Sequence, residues 1–410
     1  MPSLIDIVHQ SLDRRLASHS DRPIALALSG GGDSVALALI AKAWAQTHGR
    51  RLLCLTVDHG LNPASFAWTA ACRSLAAQLG ADFQALSWTG PKPATGLPAA
   101  ARVARHTLLA DAARSAGASV ILMGHTASDL SESAAMRLEG SSTPDARDWS
   151  PSPIWPQGRS LFLLRPMLEI GRSELRAWLS QEGMSWIDDP ANDDLRFARS
   201  RARRSPQATQ PLGQTLPPLI PRELALMVEE DFGLRMPRMA LLSAEPSAAT
   251  ALVGIACVCA GGGARLPDRK RLVRLTEALR GDRPIAMTLS GAQVLADRNT
   301  IRWVRTAGEV RRSRSEDLHL AAGNVGVWDG RYEVTAQAPI SVRALAGHRA
   351  DLSRSARRQL AHTPASARGA LPFFAGETAL NAPPEIHLVS LVLSRFQAAA
   401  GLIQREPSAD

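Results

Sequence analysis

Apolar runs of strand length alternate with longer, helix-compatible stretches through the first half of the chain. Short apolar runs bounded by polar residues predict buried strands over 23–29, 51–57, 82–88, 118–124 and 161–168. Stretches with few helix breakers predict helices over 34–47, 65–79, 98–116, 129–138 and 172–182. Because parallel strands are joined by helical crossovers, this order predicts an α/β fold with a parallel, doubly wound sheet.

The pattern changes in the second half of the chain. A cluster of Pro, Gln and Thr over 205–221 predicts a domain boundary, and 222–280 is predicted to be mostly helical. Alternating runs then predict two hairpins, over 286–304 with a turn at Asp297–Asn299 and over 325–336 with a turn at Asp329-Gly330. We expect a first domain over 1–205, a mostly helical region over 206–310 that ends in a hairpin, and a smaller C-terminal module over 311–410.

The charge balance indicates a polyanionic partner. The chain has a formal net charge of +9, and all but three of its 47 basic residues are arginines. A chain this basic favours nucleic acid as a partner, although an arginine bias is also typical of a GC-rich genome. The four cysteines form no C-x-x-C pair, which predicts free thiols in a reducing compartment. The longest apolar stretch, 248–264, is too short and glycine-rich for a membrane span, so we expect a soluble, cytoplasmic protein with no membrane partner.

A glycine-rich turn joins the first predicted strand to the first helix after it. Backbone N–H groups at the positive end of a helix dipole suit a phosphate group. No lysine follows the glycines, so the turn is not a Walker A loop. An ordinary strand–helix turn is the alternative. The residues of this turn are Ser29, Gly30, Gly31, Gly32, Asp33 and Ser34.

The order of these six residues resembles the PP-loop of ATP pyrophosphatases. Further segments then match, in order, the motifs of one PP-loop family, the tRNA(Ile)-lysidine synthases, over roughly residues 24–205. The matching segments are 57–65, which contains Asp58 and His59; 101–106, which contains Arg102 and Arg105; 124–133, which contains His125, Asp129 and Glu132; and 186–192, which precedes Arg199, Arg201 and Arg203.

This resemblance implies a ligase that splits ATP into AMP and pyrophosphate. Such an enzyme adenylates the C2 oxygen of the wobble cytidine in an isoleucine tRNA with a CAU anticodon. The amine of free L-lysine then displaces AMP and leaves lysidine. Mg²⁺ is expected with ATP, because phosphate charge needs a cation. The resemblance leaves the oligomeric state open, with a homodimer as one option.

The resemblance also implies a role for each matched residue. The turn from Ser29 to Ser34 would cradle the ATP phosphates, with Asp33 placing Mg²⁺ or the phosphates. Asp129 and Glu132 lie three residues apart, hence on one helix face, and would receive the ammonium groups of lysine. His125 would contact a phosphate or the reacting base. Contacts with ATP, lysine or tRNA are expected for Asp58, His59, Arg102, Arg105, Arg199, Arg201 and Arg203.

Several positions depart from the family pattern. Ser128 stands where the family usually has Asp, Leu130 where it has Gln, and His106 where it has Tyr. Similar departures occur at Glu139 and Ser200. A non-catalytic tRNA-binding protein is therefore an alternative, although Asp129, Glu132 and the loop persist. A PP-loop sulfur transferase would need cysteines near the site or a cluster held by a C-x-x-C pair. An amidotransferase-type synthetase would lack the Asp58-His59-Gly60 segment and the segment over 186–192.

Overall fold

The computed structural model describes residues 2–138, 146–188, 227–228, 233–374 and 377–408. The chain divides into two compact units. The first unit comprises Met1–Thr215 together with the last residues, Ile403–Asp410, and the second comprises Leu216–Leu402. The predicted boundary over 205–221 lies outside the described residues, so the division into three domains stays a prediction.

The first unit alternates strands and helices as its apolar pattern predicts. All five predicted strands and all five predicted helices are present, with ends that differ by a few residues. The strands are β1 Ile24–Ala27, β2 Leu52–Asp58, β3 Asp82–Ser87, β4 Val120–Leu122, β5 Trp149–Pro151 and β6 Phe162–Leu164. The helices are α1 Leu4–Arg15, α2 Gly32–Thr47, α3 Ser65–Gln78, α4 Leu97–Ser115, α5 Ala127–Leu138 and α6 Arg172–Gln181.

The sheet of this unit has the strand order β3-β2-β1-β4-β6-β5. Every neighbouring pair is parallel except β5 and β6, which confirms the predicted α/β class. Since right-handed crossovers lead outward from β1 in both directions, α2 and α3 cover one face and α4 covers the other. Leu109 and Ala113 of α4 accordingly pack in one cluster with Leu53, Leu55 and Ile121. The carboxyl ends of β1 and β4 meet where the strand order reverses, which is where ligands bind in such sheets.

The last residues of the chain belong to the first unit. Glu406 is buried and accepts hydrogen bonds from the Arg50 guanidinium, the Ala17 N–H and the Ser119 hydroxyl. The Trp149 indole donates to the Ile403 carbonyl at 2.8 Å. The sequence predicted residues up to 410 as part of a C-terminal module. The structure differs because one buried carboxylate pairs with a distant arginine, and no local pattern reveals such a pair.

The second unit contains three antiparallel sheets and seven helices among its described residues. Its strands are β7 Met227–Val228, β8 Leu234–Pro237, β9 Ile285–Leu289, β10 Ala292–Ala296, β11 Thr300–Arg305, β12 Leu318–Leu320, β13 Val325–Trp328, β14 Tyr332–Ala336, β15 Ile340–Ala344, β16 Pro372–Phe374, β17 Glu377–Thr378 and β18 Ile386–Ser390. Its helices are α7 Arg238–Ser243, α8 Pro246–Gly261, α9 Arg269–Arg280, α10 Ala307–Arg312, α11 Arg354–Gln359, α12 Ala365–Arg368 and α13 Val392–Ala399.

Both predicted hairpins are present in this unit. β10 pairs with β11 around the predicted turn at Asp297–Asn299, and Trp328 pairs with Tyr332 across the second turn. The prediction of a mostly helical region over 206–310 understates its strands. This region contains helices α7, α8 and α9 and also a five-stranded sheet with the order β7-β8-β11-β10-β9. The prediction missed β8 because it is only four residues long and ends in Pro237.

The structure also bears on the cysteines and on membrane-spanning helices. All four cysteines are buried and free, as predicted, and burial raises the pKa of the Cys257 thiol to about 12. In the part of the chain that the structure describes, no helix combines the length and apolar character needed to cross a bilayer.

Candidate active site

The glycine-rich turn is a tight loop that needs glycine at its second residue. Gly30 has a φ of +82°, and the Ile187 N–H donates to its carbonyl at 2.9 Å. A side chain at Gly30 would overlap Ile187 Cδ1. Gly31 then caps α2 in an extended conformation and offers no side-chain bond to the first N–H groups of the helix. The turn therefore presents the positive end of α2 to the carboxyl edge of the sheet.

The two serines of the turn stabilise its shape. The hydroxyl oxygens of Ser29 and Ser34 lie 3.1 Å apart, and Ser34 Oγ donates to the Gly31 carbonyl at 2.9 Å. The Ser29 N–H also donates to Ser34 Oγ, at 3.2 Å. Ser34 is buried, and these hydrogen bonds show that its hydroxyl stabilises the shape of the loop.

The loop after β4 lies directly against the glycine-rich turn. A Cβ atom at Gly124 would come within 3.1 Å of the Asp33 carbonyl oxygen and the Ser34 nitrogen, so the close approach needs glycine. Thr126 follows and is fully buried. Its N–H donates to Asp129 Oδ2 at 2.7 Å and its hydroxyl donates to the same oxygen at 3.0 Å. These bonds orient Asp129 in the first turn of α5.

One arginine connects three of the predicted site residues. Arg172, the first residue of α6, donates from Nε to Asp33 Oδ2 at 3.0 Å and from Nη1 to Glu132 Oε1 at 2.8 Å. Its Nη2 lies 3.4 Å from Asp129 Oδ1. The structure therefore brings Asp33, Asp129 and Glu132 together from α2 and α5. Arg172 was not among the predicted site residues. Its only sequence signal is that it begins a helix after a strand of the same sheet.

The electrostatics of this cluster are dominated by burial. Glu132 and Asp129 expose only 2% and 7% of their side chains. Burial raises the pKa of Asp33, while Arg172 opposes the rise. Burial also opposes the charge of Arg172, but the carboxylates of Asp129, Glu132 and Asp33 together raise its pKa. The second carboxylate oxygen of Asp33, Oδ1, is buried and accepts no hydrogen bond from the residues that the structure describes.

A second, basic cluster surrounds His106 on α4. Burial, followed by the charges of Arg105 and Arg102, lowers the pKa of His106 to about 3, with smaller effects from Arg165 and His125. His106 therefore stays neutral near pH 7. Burial and Arg105 also lower the pKa of His59. The cluster gathers predicted residues from the ends of β2 and β4 and from α4.

Further predicted residues either make local hydrogen bonds or lie outside the described residues. Asp58 Oδ1 accepts a hydrogen bond from the Gly60 N–H at 2.7 Å and so stabilises a turn. Ser128, one of the departures from the family pattern, accepts a bond from the Arg172 N–H at 3.4 Å. Arg199, Arg201 and Arg203 lie outside the described residues. Within the described ranges, no group of three or more His, Cys, Asp or Glu side chains is arranged to hold a metal ion.

The fold and the loop define the class of this protein as a PP-loop enzyme. A family model described as a PP-loop domain matches residues 5–207, which supports the predicted use of ATP. The tRNA(Ile)-lysidine synthase of Caulobacter vibrioides is 44% identical over 417 aligned positions, which cover 98% of this chain and 99% of that protein. The tRNA(Ile)-lysidine synthase of Mesorhizobium japonicum is 34% identical over 363 positions, which cover 79% of this chain and 75% of that protein.

The chain belongs to the tRNA(Ile)-lysidine synthase family. The predictions of family, fold class and ligase activity are thereby confirmed, and the non-catalytic alternative is not favoured.

Proposed function

We propose that this chain joins L-lysine to C2 of the wobble cytidine of an isoleucine tRNA with a CAU anticodon, through an adenylated cytidine. The observation that carries the proposal is the junction of two subsites. Asp33 of the phosphate loop and the pair Asp129 and Glu132 lie on a single guanidinium, that of Arg172. This arrangement supports a site for ATP beside a site for an amine, as a ligation through AMP requires.

ATP would bind with its phosphates on the glycine-rich turn. Glycine at positions 30 to 32 allows close approach of the backbone, and the start of α2 favours negative charge. Mg²⁺ usually binds through one or two carboxylates together with phosphates and water. The buried Asp33 Oδ1, which lacks a bond from any described residue, fits a single ligand of this kind. When bound, Mg²⁺ would offset phosphate charge.

Lysine would bind beside this loop, with an ammonium group on Asp129 and Glu132. Both carboxylates are buried, and buried carboxylates attract a cation strongly while they repel polyphosphate. The carboxylate of lysine would need a cationic partner, which Arg102 or Arg105 of the second cluster would supply. His125, next to Gly124 at the turn, would contact a phosphate or the reacting base.

In the reaction, the C2 oxygen of cytidine would attack the α-phosphorus of ATP and release pyrophosphate. The lysine amine would then attack C2, and AMP would leave with the former C2 oxygen. The first step thus converts the C2 oxygen, a poor leaving group, into part of a good one, and in the second step the amine nitrogen loses a proton as AMP leaves. The buried carboxylates and the loop would serve to hold lysine and ATP in orientation, which is a large part of the rate gain in such reactions.

The second unit would hold the tRNA. The exposed basic side chains of α9 lie on its solvent side, and its first turn has no acidic residue. This basic face consists of Arg269, Lys270, Arg271 and Arg274. Arginines of this kind position a nucleic acid through phosphates without reading its sequence. Residues 311–314 add three more arginines. A homodimer and the boundaries of the predicted domains remain part of this proposal.

Glu132→Gln tests the assignment of the lysine subsite. Glutamine keeps the size of the side chain and removes its charge, so we expect the lysine KM to rise about 10- to 100-fold, the loss typical of one charged hydrogen bond. The measurement is AMP release with tRNA at varied lysine and at varied ATP. Glu174→Gln, at an exposed position on α6, is the matched control.

An equal rise in the ATP KM, with unchanged lysine dependence, would show that Glu132 does not serve lysine. Turnover that needs no lysine in the unmodified protein would contradict the proposed function itself.

A further inference from the structure

Arg172 makes a three-way contact that the proposed reaction does not by itself explain. Its guanidinium donates to carboxylates that come from two different helices, α2 and α5, and it stands at the start of a third, α6. A guanidinium is planar and presents its donors in a fixed fork, so it fixes directions as well as distances. Any shift of one carboxylate is therefore transmitted to the other two.

The charge of the cluster makes a cation necessary. Three carboxylates in a mostly buried site would repel one another and would also repel the polyphosphate of ATP. Arg172 exposes 19% of its side chain, Asp33 20%, and the other two carboxylates less. In such a setting the guanidinium of Arg172 offsets part of the negative charge of the three carboxylates.

The position of α6 is itself tied to the phosphate loop. Arg176, one turn after Arg172, pairs with Asp188 at 3.0 Å and lies over the ring of Trp186. The Trp186 ring lies 3.5 Å from where a Cβ at Gly32 would stand. Helix α6 also packs along α2. Helix α6 is thus held near the glycine-rich turn at two points. Arg172 contacts Asp33, and Arg176 contacts Trp186, which lies beside Gly32.

We propose that Arg172 is a positioning residue that couples the ATP subsite to the lysine subsite by holding Asp33, Asp129 and Glu132 in one arrangement. This inference rests on the proposed function. The competing interpretation is that the guanidinium only occupies the ammonium subsite until lysine displaces it. The two differ in sign: removal of a coupling residue weakens lysine binding, whereas removal of a competitor strengthens it.

Arg172→Gln and Arg172→Lys test the coupling. We expect Arg172→Gln to lower kcat/KM for both ATP and lysine by about 10- to 100-fold, the loss common for residues that orient site groups. Lysine at position 172 keeps the charge but not the fork, so it should restore only part of the activity. Added methylguanidinium should rescue Arg172→Ala, which leaves space for it. Arg51→Gln, whose exposed partner Asp82 lies at the opposite edge of the sheet, is the matched control.

The dependence of one substrate on the other separates coupling from a general structural role. The guanidinium contacts Asp33 on the side of the phosphate loop and Glu132 on the side of the lysine subsite. Saturating lysine should therefore lower the ATP KM of the unmodified protein, and this effect should be lost in Arg172→Gln. A variant that is merely less stable would lose activity but keep that dependence.

A lower lysine KM in Arg172→Gln would overturn the proposal in favour of the competitor. So would a folded Arg172→Ala variant that methylguanidinium does not rescue, or an Arg172→Gln variant in which saturating lysine lowers the ATP KM as it does in the unmodified protein. Should Arg172→Gln fail to fold, Arg172→Lys carries the same comparison. Absence of lysine-dependent AMP release in the unmodified protein would instead refute the proposed function.

Discussion

Replacing Glu406 by glutamine tests whether the last residues of the chain stabilise the first unit. Glu406 lies far from Arg50 in sequence, yet its oxygens lie 3.0 and 3.1 Å from the Arg50 guanidinium nitrogens. The two side chains expose 2% and 0% of their surface. The same carboxylate accepts bonds from the Ala17 N–H and the Ser119 hydroxyl. Glutamine would remove the negative charge and leave the buried arginine without its carboxylate partner, with hydrogen bonds to the Ala17 and Arg22 carbonyls remaining.

The expected loss is large because a buried charge loses its partner. Removing one member of a buried ion pair costs about 3–5 kcal/mol. For a domain of roughly 150–250 residues, 1 kcal/mol corresponds to a Tm change of about 2–4 °C. Glu406→Gln should therefore lower the Tm of the first unit by about 6–20 °C. Glu182→Gln, at an exposed position just after α6, should change it by much less.

Scanning calorimetry of the full chain measures this effect. The double variant Arg50→Met/Glu406→Leu provides the internal check, because replacing a buried pair by apolar residues is often close to neutral. It should recover part of the lost Tm. A Tm for Glu406→Gln within about 2 °C of the unmodified protein, less than the shift that 1 kcal/mol causes, would refute the structural role of the C-terminal residues.

Three further predictions concern the site and the tRNA. Asp33→Ala should abolish AMP formation with little change in Tm. Because burial raises the pKa of Asp33, the activity of the unmodified protein should rise with pH through a range above that of an ordinary aspartate. An activity that does not fall on the acidic side of its pH profile would contradict this prediction. The ring protons of His106, whose pKa is lowered to about 3 mainly by burial, should not titrate between pH 5 and 8 in an NMR titration, and a midpoint in that range would be a contradiction. Replacing the four residues of the basic face of α9 by glutamine should weaken tRNA binding. It should also reduce the slope of log affinity against log salt concentration by up to about one per lost phosphate contact. An unchanged slope in filter binding would show that this face does not contact the tRNA phosphates.

Deletion of the second unit would be a poor test of tRNA binding. A truncation near residue 206 would remove Glu406 together with the basic face, and so would destabilise the first unit for a reason unrelated to tRNA. Side-chain substitutions on the surface of α9 avoid this problem.

Much of the first unit was predictable because its signals are local. Strand and helix lengths follow from apolar runs, and the meeting of Asp33 with Asp129 follows from the position of β1 next to β4 in a doubly wound sheet. The spacing of Asp129 and Glu132 placed both carboxylates on one face of α5.

The parts that were missed depend on contacts between distant segments. Arg172 is one arginine among many, and only the packing of α6 beside α2 brings it to the three carboxylates. The pairing of Glu406 with Arg50 likewise joins the two ends of the chain, with no periodicity to indicate it. In the second unit, strands as short as β8 carry too few residues for a pattern to emerge.

The central claim is tested most directly by one assay of the unmodified protein with ATP, Mg²⁺, L-lysine and isoleucine tRNA carrying a CAU anticodon. The predicted result is release of AMP and pyrophosphate that depends on both lysine and the tRNA, with the mass of the wobble nucleoside raised by that of lysine less one water. Release of AMP and pyrophosphate without a lysine-bearing nucleoside, or tight tRNA binding with no turnover at all, would contradict it.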